Sequence, residues 1–338
     1  MSKVLTVVVP SFNSEKTIRT TLDSLVVVSA DLIELLVIND GSTDMTKVIA
    51  EDYSKRYPDV VRVITKLNGG HGSGINVGIR EAKGKFFKVI DSDDWVDKDS
   101  FIALVDLLSK SDVDVVYSGF LWAFDNGSGD ESTFRTQAQY CEPFSDVEYG
   151  KIYSFEQIAD KLYMKFHNLT FKTAILQANG IELDEKCYYE DTEYVLYPIP
   201  YVETILFLKE FVYMYRMGTK TQSMSKDKLI KHCSDYTKVL QSNLAYYQKH
   251  KDLCSEKKNR YMETMIASYY TSYIKILLLK PLSAKNRREM KQFDDYLKEN
   301  YSAIYISNSN MVVKILRNTG FFAYYLGWIM IRITKKYH

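Results

Sequence analysis

The feature that most limits what this chain can fold into is a repeated unit: a short apolar run, a polar loop where it stops, then residues at helical spacing. Residues 4–9 stop at Pro10-Ser11-Phe12-Asn13, and Ser14 stands where it can cap a helix carrying Ile18, Leu22 and Leu25. Residues 33–38 end at Asn39-Asp40-Gly41-Ser42 and are followed by Val48 and Tyr53 on one helical face. Residues 60–65 give way to Asn68-Gly69-Gly70-His71-Gly72-Ser73-Gly74 and a helix through Ala82. Residues 86–90 run into Asp91-Ser92-Asp93-Asp94-Trp95, a helix over 97–108 follows, and 114–117 make a fifth strand. This alternation predicts an α/β fold with a mostly parallel sheet covered by helices on both faces. Every polar loop in it falls at a strand end, where open sheets of this class collect ligands.

Beyond the fifth strand, periodicity fades over 119–149, which reads as a substrate loop beside the strand ends. Ser154-Phe155-Glu156-Gln157 fits a capping box, a second helix ends near Gly180, and the acidic group Glu190-Asp191 precedes strands at 204–208 and 211–215. From 226 onward the character is helical, with segments at 229–248, 257–279 and 285–299 rich in Tyr, Lys and Leu. We therefore divide the chain into 1–225 and a C-terminal helical region, 226–338. At 338 residues and 46% hydrophobic it can bury a sizeable core, and a net charge of +1 argues against a nucleic-acid binder. Cys141, Cys187, Cys233 and Cys254 lie too far apart for a zinc knuckle and read as reduced, structural thiols of a cytoplasmic protein. The apolar run at 4–9 is too short for a signal-peptide core and is taken as the first strand.

The tail, 311–338, combines Phe321, Phe322, Tyr324, Tyr325, Leu326, Trp328, Ile329 and Ile331 with Lys314, Arg317, Arg332, Lys335 and Lys336. Its apolar stretch is too short to span a bilayer. It suits either a helix lying on an anionic membrane or a terminal helix packed on its own domain or on a partner subunit, so a homo-oligomer stays open.

Three carboxylates within four residues, Asp91, Asp93 and Asp94, repel one another and call for a cation. A lone D-x-D also arises by chance as a solvated turn before a helix. Its place after a buried strand favours a hard cation, Mg2+ or Mn2+, which takes one or two carboxylates and completes its shell with phosphate oxygens.

Three motifs in order, Val7-Val8-Val9-Pro10-Ser11-Phe12-Asn13, Val37-Ile38-Asn39-Asp40-Gly41-Ser42-Thr43-Asp44 and Asp91-Ser92-Asp93-Asp94, resemble the signature of family 2 glycosyltransferases. These are inverting enzymes of the glycosyltransferase-A (GT-A) fold. The resemblance spans residues 4–225 and implies a donor site drawn from Pro10, Phe12, Asn13, Glu15, Asp40, Asn68, Asn76, Asp91, Ser92 and Asp93. In it Pro10, Phe12 and Asn68 border the base, Asp40 accepts from a uracil ring, Asp91 faces the ribose, and Asp93 with Asp91 holds the metal. Glu190-Asp191 matches the family's E-D pair, which implies Asp191 as general base with Glu190 orienting acceptor or base. Asp94 and Trp95 would border sugar and acceptor, and Arg216, Ser223 and Ser225, after Tyr213-Met214-Tyr215, would cover the diphosphate. One departure is Gly74-Ile75-Asn76 where the family commonly has A-R-N, and His71 or Lys66 is the candidate to replace that arginine.

The implied activity is transfer from a nucleotide sugar, most simply a UDP-sugar, to a glycan or lipid-linked acceptor in bacterial surface polysaccharide assembly. The enzyme would sit on the inner face of the cytoplasmic membrane. A nucleotidyltransferase can share such a sheet, but Pro10-Ser11-Phe12-Asn13 lacks the glycine-rich basic loop that chemistry needs. A non-catalytic nucleotide-binding scaffold would not need both acidic groups.

Overall fold

The first apolar run forms β1 (Leu5–Ser11), buried at every residue, and it is flanked in register by β2 (Ile33–Asn39) and, after α1 (Ile18–Leu25), α2 (Thr46–Arg56), β3 (Val61–Thr65) and α3 (His71–Glu81), by β4 (Phe86–Val89). These four strands are parallel, in the order β3-β2-β1-β4. Strands apolar on both faces need cover on both. On one side α1, α2 and the later α4 (Lys98–Ser109) pack Leu22, Tyr53, Phe101 and Leu104 against Val7, Val9, Leu35 and Val37. On the other, α3 lies so close to β1 that a Cβ on Gly78 would meet Val8 Cγ1 at 2.5 Å. The structure is a computed structural model describing residues 3–138, 144, 146–218 and 225–333.

The sheet continues differently from the simple parallel reading. A two-residue strand β5 (Trp95–Val96), β6 (Val115–Phe124), β7 (Arg135–Ala138), β8 (Ile152–Ser154), β9 (Leu169–Lys172) and β10 (Thr204–Met217) complete a ten-stranded mixed sheet whose longest ladders, β1 with β2 and β6 with β10, are parallel. Between β8 and β9 comes α5 (Phe155–Ile158), opened by the expected Ser154/Gln157 box, and between β9 and β10 come α6 (Thr173–Ala178) and α7 (Asp191–Leu196). Strand β9 inserts antiparallel between β4 and β6. The expected strands 204–208 and 211–215 are one strand, because irregular register steps between Phe207 and Tyr213 let it pass a break in pairing without leaving β6. Residues 119–124, expected as loop, extend β6, their aromatic side chains suiting a pleated surface. Helix α1 begins a turn later than Ser14, whose carbonyl accepts from Thr17 N and Ile18 N in the intervening turn.

Contacts divide the chain into two compact units, Met1–Thr219 and Lys220–His338. The second is helical: α8 (Lys226–Lys231), α9 (Cys233–His250), α10 (Glu256–Leu279), α11 (Ala284–Asn300), α12 (Ser302–Ser307), α13 (Met311–Asn318) and α14 (Tyr324–Ile333). Tyr236 stacks on Tyr269 with ring centroids 4.0 Å apart, joining α9 to α10. Asp294 of α11 accepts from Tyr270 and pairs with Arg317, which draws α13 in. Among the described residues no helix is long and apolar enough to cross a membrane.

Candidate active site

Because β1 lies between β2 and β4, the loops leaving their carboxyl ends converge. Asp40, just past β2, is buried and accepts from Lys66 Nζ (2.7 Å) and Gly69 N (2.9 Å) on Oδ1 and from Gly70 N (2.8 Å) on Oδ2. A carboxylate offers about four acceptor positions, so one remains for a ring N–H. Asn68 Nδ2 donates to the Asp40 carbonyl at 3.0 Å, and Phe12 stands half exposed at the rim above buried Pro10. Asn13 and Glu15 accept instead from the backbone N–H groups of Thr43 (2.9 Å) and Met45 (3.0 Å), tying the first loop to the second. Asn76 does not join this group: its buried amide exchanges hydrogen bonds with the backbone of Leu183 (2.9 and 2.8 Å).

The glycine-rich segment has a job the sequence reading missed. Gly70 has φ +87°, open to glycine at little cost, and a Cβ on Gly72 would collide with the Asp184 carbonyl and meet Glu190 Cγ at 2.9 Å. These glycines admit the protein's own acidic loop. That loop is fastened by Lys186 N donating to the Gly69 carbonyl (2.6 Å), and it turns through Tyr189 at φ +75°, a conformation costing an aromatic residue about 1–3 kcal/mol. The turn delivers Glu190 and Asp191. Glu190 Oε1 lies 2.8 Å from His71 Nδ1, and His71 Nε2 lies 2.8 Å from Asp91 Oδ1. Burial would lower the pKa of His71, but the Asp91 and Glu190 carboxylates outweigh it and hold the pKa well above the ordinary value. His71 thus bridges the two acidic motifs. Lys66 is engaged by Asp40, and Ile75, at the position of the family's arginine, is buried.

Asp191 begins α7 and is exposed to solvent, while the surrounding protein and then the Glu190 charge push its pKa up to about 7. Asp93 is exposed as well, and desolvation together with Asp91 raises its pKa. Carboxylates crowded this way are short of positive charge. Asp91 and Asp93 are hard oxygen donors that fit a divalent cation of the Mg2+ or Mn2+ type. Asp91, Asp94 and His167 also bring one ligand atom each within 4.8 Å of one another. Asp94, however, already has both oxygens engaged.

Four further residues expected at the ligand are engaged within the fold. Asp94 is only 1% exposed, accepting from Tyr213 Oη (2.6 Å) and Arg216 N (2.7 Å), with burial first and Asp93 and Asp91 next holding its carboxyl well above the usual range. Trp95 faces the Arg216 guanidinium at 5.0 Å and Phe134 at 6.0 Å rather than a sugar. Arg216 is buried, donating to the Asp93 carbonyl (2.8 Å), Asp125 (3.3 Å) and Glu131 (2.8 Å), because a buried guanidinium must find carboxylates nearby. Ser92 Oγ meets Ser14 Oγ at 2.6 Å, and its carbonyl accepts from Thr17 and Thr21, so it fixes the turn. Ser223 lies outside the described residues, and Ser225 belongs to the second unit at the N-cap position of α8.

Sequence reasoning also missed Tyr213, Lys88 and His167. Lys88 is fully buried on β4, donates to the carbonyls of His167 (3.0 Å) and Leu169 (3.3 Å), and has its pKa lowered to about 7 by burial. His167 is pushed down to about 4 by burial, and its Nδ1 has no partner among the described residues. A lysine inside Phe86-Phe87-Lys88-Val89-Ile90 was the one visible sign of a polar pocket beneath the acidic turn.

Several known proteins resemble this chain. The uncharacterized glycosyltransferase EpsJ of Bacillus subtilis (strain 168) is 27% identical over 275 residues, covering 78% of this chain and 75% of that protein. Among solved structures, S. aureus TarS 1-349 in complex with UDP-GlcNAc aligns with TM-score 0.61 and 20% identity, covering 89% of this chain and 81% of that one. The mannosyltransferase PcManGT from Pyrobaculum calidifontis in complex with GDP-Man and Mn2+ aligns with TM-score 0.50 and 14% identity over 99% of this chain and 88% of that one. These share the GT-A fold. The sequence model of glycosyl transferase family 2 matches residues 6–178, half of the chain and every strand-end loop up to the acidic turn; this protein is a glycosyltransferase and belongs to that family.

Proposed function

We propose that the enzyme moves a hexosyl or N-acetylhexosaminyl group from a UDP-sugar to a hydroxyl of a glycan or lipid-linked acceptor, with inversion. The observation that carries this reading is the convergence of the two acidic motifs on His71, each at 2.8 Å, which supports a donor site and a base sharing one cleft. Asp40 and Asn68, with Phe12 at the rim, receive the base, and the UDP-GlcNAc complex of TarS supports the choice of nucleotide. Asp93 and Asp91 would hold Mn2+ or Mg2+, which when bound neutralises the diphosphate as it leaves. Asp191, the general base, takes the acceptor hydroxyl's proton as that oxygen bonds to the anomeric carbon. The bond from that carbon to the diphosphate oxygen breaks, and UDP departs with the electron pair.

Glu190, fixed by His71, orients the base. The reaction belongs to surface polysaccharide assembly, at the inner face of the cytoplasmic membrane where lipid-linked acceptors are presented. Incubating the protein with a panel of nucleotide sugars and Mn2+ tests this. Release of UDP from one UDP-sugar, abolished by EDTA, is expected, and the anomeric proton coupling of a transferred product should report inversion. Release of nucleotide from none of them would overturn the reading.

A further inference from the structure

Helix α14 uses only one of its faces inside its own unit. Tyr324 is buried and its hydroxyl accepts from Ser283 N at 3.1 Å, while Trp328 Nε1 donates to the Lys280 carbonyl at 2.9 Å. Arg332 donates to the carbonyls of Leu278 (3.2 Å), Leu279 (3.1 Å) and Lys280 (3.1 Å), and its guanidinium lies 3.5 Å from the centre of the Trp328 ring. Those carbonyls close the C-terminus of α10, where a helix leaves acceptors unpaired and favours a cation. This face is a docked seam.

The opposite face is exposed: Leu326, Ile329 and Ile333 of α14, with Phe322 just before it and Ile315 on α13, are 48–72% exposed. An apolar surface of that extent is costly in water and marks an interaction site. Its charge surroundings identify the partner. After Glu299 the sequence contains no Asp or Glu, yet it carries Lys314, Arg317, Arg332, Lys335 and Lys336. Arg317 and Arg332 are engaged within the unit, but Lys314 is exposed, and α11 adds exposed Lys285 and Arg288 together with Arg287, whose guanidinium lies 4.3 Å from the Phe322 ring. An apolar face in a segment whose charged side chains after Glu299 are all cationic is complementary to a bilayer that offers acyl chains below a layer of anionic headgroups.

We propose that the exposed face of α14, with Phe322 and Ile315, lies in the surface of a membrane carrying anionic lipids and anchors the enzyme there without crossing it. This rests on the placement at the membrane proposed above and names the surface and the lipid class. The test uses the full chain and sedimentation with vesicles of phosphatidylcholine alone or mixed with phosphatidylglycerol. Binding to the mixed vesicles should exceed binding to the neutral ones by about tenfold and fall as salt screens the headgroups. The double variant L326E/I329E, altered only at exposed positions, should lose that binding while keeping its melting temperature and its metal-dependent release of UDP. Equal binding to both kinds of vesicle, or undiminished binding by the variant, overturns the proposal. So does a wild-type chain that ignores vesicles and is a dimer which the variant splits. Loss of UDP release with intact vesicle binding would instead strike the catalytic reading alone.

Discussion

His71 Nδ1 and Glu190 Oε1 lie 2.8 Å apart across 119 residues of sequence, and the opposite ring nitrogen holds Asp91. The imidazole fixes the spacing between the donor-side turn and the base-side loop. Replacing it with phenylalanine leaves two carboxylates facing an apolar ring. H71F should lower turnover by about 10²-fold, the effect of displacing catalytic groups by roughly an ångström, with a smaller loss of UDP affinity. Steady-state kinetics beside calorimetric UDP titration separates the two, and equal losses would make His71 a donor-binding residue only.

Asp191→Asn keeps the shape of the residue and removes its basicity. Transfer should fall by about 10²–10⁴-fold, the usual contribution of a general base, with UDP affinity nearly unchanged. Unchanged turnover would remove Asp191 from that role.

The pH profile follows from the same group. Asp191 has its pKa pushed up to about 7 by the surrounding protein and Glu190. A base works deprotonated, so kcat/KM should climb as pH rises through about 7 and fall tenfold per unit below it. In D191N that limb should vanish from the residual activity.

Asp93 is exposed and crowded by Asp91. Asp93→Ala should weaken UDP binding when Mn2+ or Mg2+ is present and change little in EDTA. A titration in both buffers reads this directly, and equal losses would refute the metal assignment.

Tyr213 donates to Asp94 at 2.6 Å and accepts from Asp91 N at 3.2 Å, all beneath the acidic turn. Tyr213→Phe strips both bonds in a buried place and should destabilise the first unit by roughly 1–3 kcal/mol. Urea unfolding followed by far-UV circular dichroism measures it, and activity at low temperature should survive better than stability.

The strands and the loops at their ends were legible because both are local: fully apolar runs such as Val7-Val8-Val9 and abrupt stops such as Asn39-Asp40 announce themselves within a few residues. The antiparallel entry of β9 was not, since a four-residue strand carries no sign of its direction. The engagement of Asp94, Trp95 and Arg216 within the fold was hidden for a related reason. Asp93 and Asp94 are neighbours of one type, and only the arrival of β10 determines which of them is buried under Tyr213 and which faces solvent. The glycines misled in the same way, since Gly72 makes room equally well for a ligand or for Glu190, and the partner lies 118 residues further on.

The dependence of Asp94 on Tyr213 and Arg216 also sets an order of events on the ribosome. When the acidic turn leaves the exit tunnel, the segment that neutralises and roofs it has not been made, and 119 residues separate Asp94 from Tyr213. At translation rates of about 5–20 residues per second, the nascent chain waits roughly 6–24 s with its aspartates unbraced. Strands β1 to β4 can zip together in that interval. The cleft cannot become rigid until β10 threads in beside β6, which requires nearly two-thirds of the chain to have been translated.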